Sequence, residues 1–265
     1  MDKTTGRLPR LSMDQEEVHL WFADPHEIRD IALLRAYEAL LSEEELVRMR
    51  QFRFAEHRHV HLVSHALMRV VLSRYAGVAP GLWRFTTNVY GRPEIAAPEG
   101  VPPLRFNLSH SADMVLFGVA LDEDIGVDVE NTARGAPPEN FAQRFFARRE
   151  YQDWLAVAPE RRQERFFEYW TLKEAYLKAR GQGLHVPTTQ FAFQFERDGG
   201  IDISFEQGLD DDPRNWSFWQ FRPTAEHHAA LAVRGRGGVR QRAVCWRGVP
   251  LLDERLFSCE TVHRT

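Results

Sequence analysis

Cysteine is nearly absent from this chain, with Cys245 and Cys259 the only two in 265 residues. Two thiols cannot build a disulfide framework and lack metal-site spacing, so a reducing cytoplasm is the expected compartment. Long apolar runs are missing too: nowhere do about 18 apolar residues follow one another. Met1 to Arg10 is polar and charged, without the apolar segment of a standard export signal. No membrane span is expected. Neither charge sign dominates, since 34 Lys and Arg stand against 38 Asp and Glu for a net charge of −4. That balance provides no global field for nucleic acid, and a polyanion would have to meet a local basic patch. Low-complexity segments and Gly/Ser-rich linkers are also lacking. What remains, 43% hydrophobic and 27% charged, suffices for one large core or two small ones.

After a polar leader (1–16), Glu17 to Ala23 alternates like a strand and Ile28 to Leu41 has helical periodicity. Ser42-Glu43-Glu44-Glu45 forms a capping box opening a second helix. His57 to Tyr75 reads as a long amphipathic helix closed by Gly77 and Pro80. Strand-like Trp83 to Val89, a Gly91-Arg92-Pro93 turn and a Pro-rich stretch from Pro98 to Pro103 follow. Met114 to Leu121 is apolar on both faces, the mark of a central strand. The acidic turn Asp122 to Asp124 begins a second half of the same plan. It has helical material from Pro138 to Gly181, then strands at Phe191–Glu196, Ile201–Phe205, Trp216–Phe221, Ala229–Val233 and Ala243–Trp246. The expectation is α+β, with two lobes over 17–122 and 123–250, a tail over 251–265, and a ligand cleft between the lobes.

Two short motifs place acids where packing alone would not. In Ile125-Gly126-Val127-Asp128-Val129-Glu130, alternation sends the aliphatic residues to one face and Asp128 with Glu130 to the other. In Trp170-Thr171-Leu172-Lys173-Glu174-Ala175-Tyr176-Leu177-Lys178, a helical turn of roughly 100° per residue brings Phe166, Leu177, Trp170, Glu174 and Phe167 into one arc. Glu174 thus lies in an apolar stripe, and an ionised acid there needs a cation or donor. A divalent metal shared with Asp128 and Glu130 is the economical partner. A solvated strand face and an Arg partner for Glu174 from elsewhere both stay open. Oxygen-only ligands suit Mg²⁺, which typically arrives with a phosphate-bearing substrate.

On the phosphate side, Arg92 sits on a rigid turn, and Ser109-His110-Ser111 offers hydroxyls, an imidazole and amides before a buried strand. A hydrolytic triad of Ser109, His110 and Asp128 is disfavoured, because adjacent side chains diverge and no Gly-x-Ser-x-Gly surrounds the serine. His57, His61 and His65 share a helix face at a spacing that permits zinc. Lacking a third-ligand motif or a nearby Cys, they read as a solvated or capping face.

Gly91-Arg92-Pro93, Phe106-Asn107-Leu108-Ser109-His110-Ser111, Ile125 to Glu130 and Trp170 to Lys178, closed by Gly181-Gln182-Gly183-Leu184, resemble the ordered motif set of the Sfp-type 4′-phosphopantetheinyl transferases. The resemblance runs from about Ser42 to Phe195. It implies a monomer of two pseudo-symmetric α+β lobes, with coenzyme A in the cleft and Mg²⁺ bridging its pyrophosphate. It makes Asp128, Glu130 and Glu174 the metal-binding acids and Lys178 the lysine on the pyrophosphate. Ser109 and His110 match the pair holding the nucleotide's 3′-phosphate, with Asn107 on the loop around it. Arg92, beside Pro93 in the coenzyme site, stands where the family often has Lys. Arg48 matches a phosphate-binding cation, whereas another position often basic in relatives falls in the Glu43-Glu44-Glu45 run, a departure in the basic rim.

The implied reaction moves the phosphopantetheine arm of coenzyme A to a serine of an apo acyl or peptidyl carrier protein, releasing adenosine 3′,5′-bisphosphate. Asp128, Lys178 and Glu174 would be the catalytic group, with Glu174 or a water as base. Rival readings are a Mg²⁺-dependent phosphohydrolase, which would need no carrier, and a nonenzymatic nucleotide- or partner-binding protein. The carrier and pathway are not legible.

Overall fold

The computed structural model describes residues 10–235 and 241–265, and residues 1–9 of the expected leader lie outside the described residues. β1 (Glu17–Ala23) leads through a 3-10 turn at Pro25–Glu27 to α1 (Ile31–Glu38). The helix starts later than the periodicity of Ile28 to Leu41 suggests, because Asp30 caps it by accepting from Leu33 N at 2.8 Å. α2 (Glu43–Gln51) opens on the expected capping box of Ser42 and Glu45. α3 (Ala55–Ala76) closes on Gly77 at φ 68°, a left-handed position that favours glycine. β2 (Arg84–Thr87), β3 (Pro93–Ala97), β4 (Leu104–His110), β5 (Val115–Leu121) and β6 (Asp124–Asn131) follow.

The helical stretch expected over 138–181 is three helices, α4 (Glu139–Phe145), α5 (Arg148–Ala156) and α6 (Arg162–Arg180). Extended backbone at Phe146 and Ala147, and again before Pro159, breaks it. Strands β7 (Phe191–Phe195), β8 (Ile201–Phe205), β9 (Trp216–Thr224), β10 (His227–Arg234), β11 (Arg242–Val249), β12 (Asp253–Leu256) and β13 (Glu260–Arg264) complete the described chain. None of the described helices is long and apolar enough to cross a membrane.

One sheet has the order β12-β11-β1-β5-β4 and a second β13-β9-β10-β6, with the hairpins β2-β3 and β7-β8 beside them. The C-terminal segments differ from expectation. Ala243–Trp246, expected among the strands of the second half, lies in β11 and pairs parallel with β1. There Trp246 stacks on Trp21 at 5.1 Å between ring centroids, which covers an edge that β1 would otherwise expose. The expected tail, 251–265, contributes β12 and β13, one edge strand to each sheet.

Alternation along the strands sorts the core into layers. Trp21, Val115, Phe117 and Val119 pack with α3 on one face of the first sheet. Val18, Leu20, Phe22 and Leu116 on its other face meet Ile125, Val127, Val129 and Leu231 of the second. The far face of the second sheet, with Phe218, Ala230 and Ala232, packs on α6. Gly126 decides how close α6 comes. A Cβ there would stand 2.0 Å from Ala175 O and 2.3 Å from Ala179 N, so strand and helix backbones touch as only glycine allows. Asp128 and Glu130, on the same face of β6 as Gly126, therefore look onto α6.

Candidate active site

Helix α6 supplies Trp170, Glu174 and Lys178 at four-residue spacing, so the three stack on one face. Lys178 is the centre of the contacts. Its Nζ donates to Asp128 Oδ1 at 2.7 Å, to Ser109 Oγ at 2.9 Å and to Val127 O at 3.1 Å. Ser109 Oγ also donates to Asp128 Oδ1 at 2.9 Å. Asp128 is only 5% exposed, and its second oxygen, Oδ2, is buried with no hydrogen-bond partner. Glu130 accepts from Trp170 Nε1 at 3.2 Å and pairs with Arg134.

Glu174 has no salt bridge among the described residues, unlike the Arg-paired acid left open by the sequence. Burial pushes its carboxyl up to about 7, reinforced by Asp128 and Glu130 and opposed by Lys178. Glu130 is also raised, chiefly by burial and then by Asp128. Three carboxylates thus share one electrostatic neighbourhood with one lysine, an arrangement seen where acids do proton or cation work. As they stand, no three His, Cys, Asp or Glu side chains among the described residues converge closely enough to hold one metal ion. Asp128 and Glu130 are occupied by protein cations instead.

A cavity of about 240 Å³ opens beside these groups, lined by Tyr90, Arg92, Pro93, Asn107, Glu174 and Lys178 among others. Two of its walls are less free than the sequence suggests. Arg92 donates to Asp124 at 2.9 Å, to Ala179 O at 3.0 Å and to Glu94 at 3.2 Å, so its guanidinium ties β3 to β6 and α6. Asn107 accepts from Val127 N at 2.9 Å, joining β4 to β6. His110 ends β4 as an exposed residue whose ring is nonetheless partly crowded by protein. Crowding by surrounding protein lowers its pKa, and the positive fields of Lys178, His65 and His57 lower it further. Arg48 is exposed on the last turn of α2, near enough to help depress His61.

Among the described residues the His57, His61 and His65 face forms no metal-holding cluster, and it is solvated only at His57, which is exposed. His61 is 8% exposed, its ring lies 4.0 Å from that of His65, and its Nε2 contacts Glu45 O at 3.2 Å. His65 bonds the Glu45 carboxylate at 2.9 Å, and Arg69 reaches it at 2.7 Å. Burial opposes ionisation of Glu45, yet those donors hold it at about 2. Glu45, one acid of the Glu43-Glu44-Glu45 run, is thus neutralised internally, whereas Glu43 and Glu44 are exposed. A larger hollow of about 600 Å³, lined by Glu17, Arg242, Cys245 and Cys259 among others, contains none of the motif residues. Of the two, the smaller cavity is the one lined by the perturbed Glu174 and by Lys178.

Several contributors were not foreseen from the sequence. Arg134, Trp170 as a donor, and the tie between Ser109 and Asp128 depend on side-chain directions. Lys173 is different, because a lysine amid the apolar residues of α6 signals a buried partner. It is fully buried and bonds Glu150 at 2.7 Å, Thr188 O at 2.7 Å and Phe191 O at 2.9 Å. That contact fixes the back of α6 and so the direction in which Glu174 faces.

The sequence matches the profile described as the 4′-phosphopantetheinyl transferase superfamily over residues 124–232, and the one described as 4′-phosphopantetheinyl transferase, N-terminal, over residues 30–120. It is 38% identical over 180 residues to the 4′-phosphopantetheinyl transferase HetI of Nostoc sp., a match spanning 66% of this chain and 73% of that protein. Over 168 residues it is 33% identical to the 4′-phosphopantetheinyl transferase Sfp of Bacillus subtilis, covering 63% of this chain and 72% of the relative. A mouse relative, the L-aminoadipate-semialdehyde dehydrogenase-phosphopantetheinyl transferase, is 25% identical over 232 residues, 82% of this chain and 75% of its own.

Proposed function

The chain belongs to the 4′-phosphopantetheinyl transferase family, and from that premise we propose how its cleft moves the phosphopantetheine arm of coenzyme A to a carrier-protein serine. The observation that carries the reading is the meeting of Asp128 and Glu130 of β6 with Glu174 and Lys178 of α6 beside a cavity.

Mg²⁺ fits this donor set. Three carboxylates make a hard, all-oxygen set, and the buried Oδ2 of Asp128 lacks any partner in the protein. Asp128, Glu130 and Glu174 would hold the ion, which when bound supplies positive charge against the pyrophosphate. The chain's own groups do the rest. The carrier serine oxygen attacks the phosphorus that bears pantetheine, and the bond from that phosphorus to the bridging oxygen breaks. Adenosine 3′,5′-bisphosphate leaves with the bridging oxygen. Glu174, whose proton affinity burial raises in the metal-free protein, is the residue to take the serine proton, directly or through a water. Lys178 is placed to donate to the pyrophosphate, and His110 at the rim to the 3′-phosphate. Pro93 and Asn107 shape the coenzyme's side of the cavity, and Arg48 adds a rim cation. Arg92 acts mainly by holding that wall, since its donors serve the protein.

The protein is read as a cytoplasmic monomer whose partners are apo carrier domains. The test is incubation with coenzyme A, Mg²⁺ and a panel of apo acyl and peptidyl carriers. We expect added phosphopantetheine mass on at least one carrier, abolished by EDTA and restored by Mg²⁺. Unmodified carriers across the whole panel would contradict the reading.

A further inference from the structure

The ammonium of Lys178 neutralises Asp128 through Oδ1 and leaves Oδ2 as the unpartnered oxygen of that carboxylate. Its three donors are all in use, at 2.7 Å to Asp128 Oδ1, 2.9 Å to Ser109 Oγ and 3.1 Å to Val127 O, which is a cation seated among oxygens. Glu130 is likewise covered by Arg134. Both covers can move. The Lys178 side chain is 27% exposed and lines the cavity, and Arg134 is 59% exposed. A lysine stem is flexible, so the same ammonium can face either Asp128 or an anion in the cavity.

Resting on the transferase reading above, we infer that Lys178 is a resident cation that competes with the divalent ion for Asp128 and yields the carboxylate when the pyrophosphate of coenzyme A draws its ammonium into the cavity. Two consequences follow. Metal and coenzyme bind with positive coupling, because each favours the state in which Lys178 has left Asp128. The chain also discriminates against free divalent ions, since an ion arriving without a polyphosphate meets an Asp128 whose charge a well-satisfied ammonium already neutralises. Arg134 plays the same part at Glu130 from a more exposed position.

The test is calorimetric titration of Mg²⁺ into the full-length protein, first alone and then at saturating coenzyme A, corrected for Mg²⁺ bound by free coenzyme. Wild type should bind Mg²⁺ weakly alone and at least about tenfold more tightly with coenzyme A, within the usual range of coupling. Lys178→Met should bind Mg²⁺ alone about 5–100-fold more tightly than wild type, and the enhancement by coenzyme A should shrink to what the direct attraction between ion and pyrophosphate supplies. Lys178→Arg, which keeps the cation, should stay close to wild type. If Lys178→Met does not fold by circular dichroism, Lys178→Gln, which retains a donor toward Asp128 and Ser109, serves in its place. A neutral variant that binds Mg²⁺ alone no more tightly than wild type overturns the exchange. So does one in which coenzyme A still enhances Mg²⁺ binding as much as in wild type, because a simple loss of positive charge would leave that coupling in place. Carrier modification by the same wild-type preparation separates the two levels: modification without the expected titration sinks the exchange alone, and failure to modify any carrier sinks the transferase reading.

Discussion

Replacing Glu174 by Gln keeps the side chain's size and removes its charge, and the structure gives that change a definite pH signature. The carboxyl is raised from 4.5 to about 7 by burial and by Asp128 and Glu130. Its folded-state pKa lies above its unfolded value, so the folded state is penalised as the group ionises. There is no penalty well below pH 4.5, a growing one through the window to about 7, and a full one above. At roughly 1.4 kcal/mol per tenfold change in proton affinity, the full penalty is about 3 kcal/mol, and screening at the cavity mouth brings it nearer 2. Glu174→Gln should therefore melt roughly 3–8 °C higher than wild type at pH 8, with little or no gain at pH 4.5. Carrier modification should be abolished in the same protein. Differential scanning calorimetry at the two pH values, with Mg²⁺ and coenzyme A omitted, reads the first effect, and carrier mass the second. A variant that melts lower than wild type at pH 8, or modifies its carrier near the wild-type rate, would refute the reasoning, because Glu174 would then be a structural partner.

Gly126→Ala places a Cβ 2.0 Å from Ala175 O, so β6 and α6 must separate, and little soluble protein is expected in expression trials; a well-folded, active variant would show the close approach to be dispensable. Lys173→Met leaves the Glu150 carboxylate buried without its cation, which should cost about 3–5 kcal/mol in urea unfolding, whereas an unchanged midpoint would mean that the pair does not anchor α6. His110→Ala should lose most of wild type's preference for coenzyme A over dephospho-coenzyme A, since one charge-assisted contact contributes about 1.5–3 kcal/mol; unaltered discrimination would remove His110 from the 3′-phosphate. A fragment ending at Leu121 should not bind coenzyme A in calorimetry, because it lacks β6 and α6 and leaves the β1 edge without β11; binding as tight as that of the whole chain would contradict a cleft built by both halves.

What the sequence disclosed, and what it did not, divides by range. The alternation in Ile125 to Glu130 foretold which side chains enter the core and which two carboxylates share a face, because strand periodicity is local. The helical arc of α6 likewise brought Glu174 and Lys178 to one side, and the capping box of Ser42 and Glu45 is a four-residue matter. Local patterns said nothing of partners. Arg92 reads as a free turn cation until Asp124 and Ala179 O are seen beneath it. The same holds for Glu45, whose cations come from the next helix. The parallel pairing of β11 with β1 joins residues more than two hundred positions apart, and apolar strands carry no mark of which sheet edge they will cover. Ser109 is the instructive middle case. Its motif marked it as a site residue, yet its hydroxyl is spent on Asp128 and Lys178, inside the acid cluster.

The most direct measurement counts two products of one reaction. Wild-type protein, an accepted apo carrier, coenzyme A and Mg²⁺ are sampled over time, with adenosine 3′,5′-bisphosphate quantified by chromatography and carrier modification by intact mass. The account predicts that nucleotide release and carrier modification rise together in equal amounts, and that neither occurs when carrier is omitted. Nucleotide released without carrier, or in clear excess over carrier modified, would contradict it and make this cleft a hydrolase.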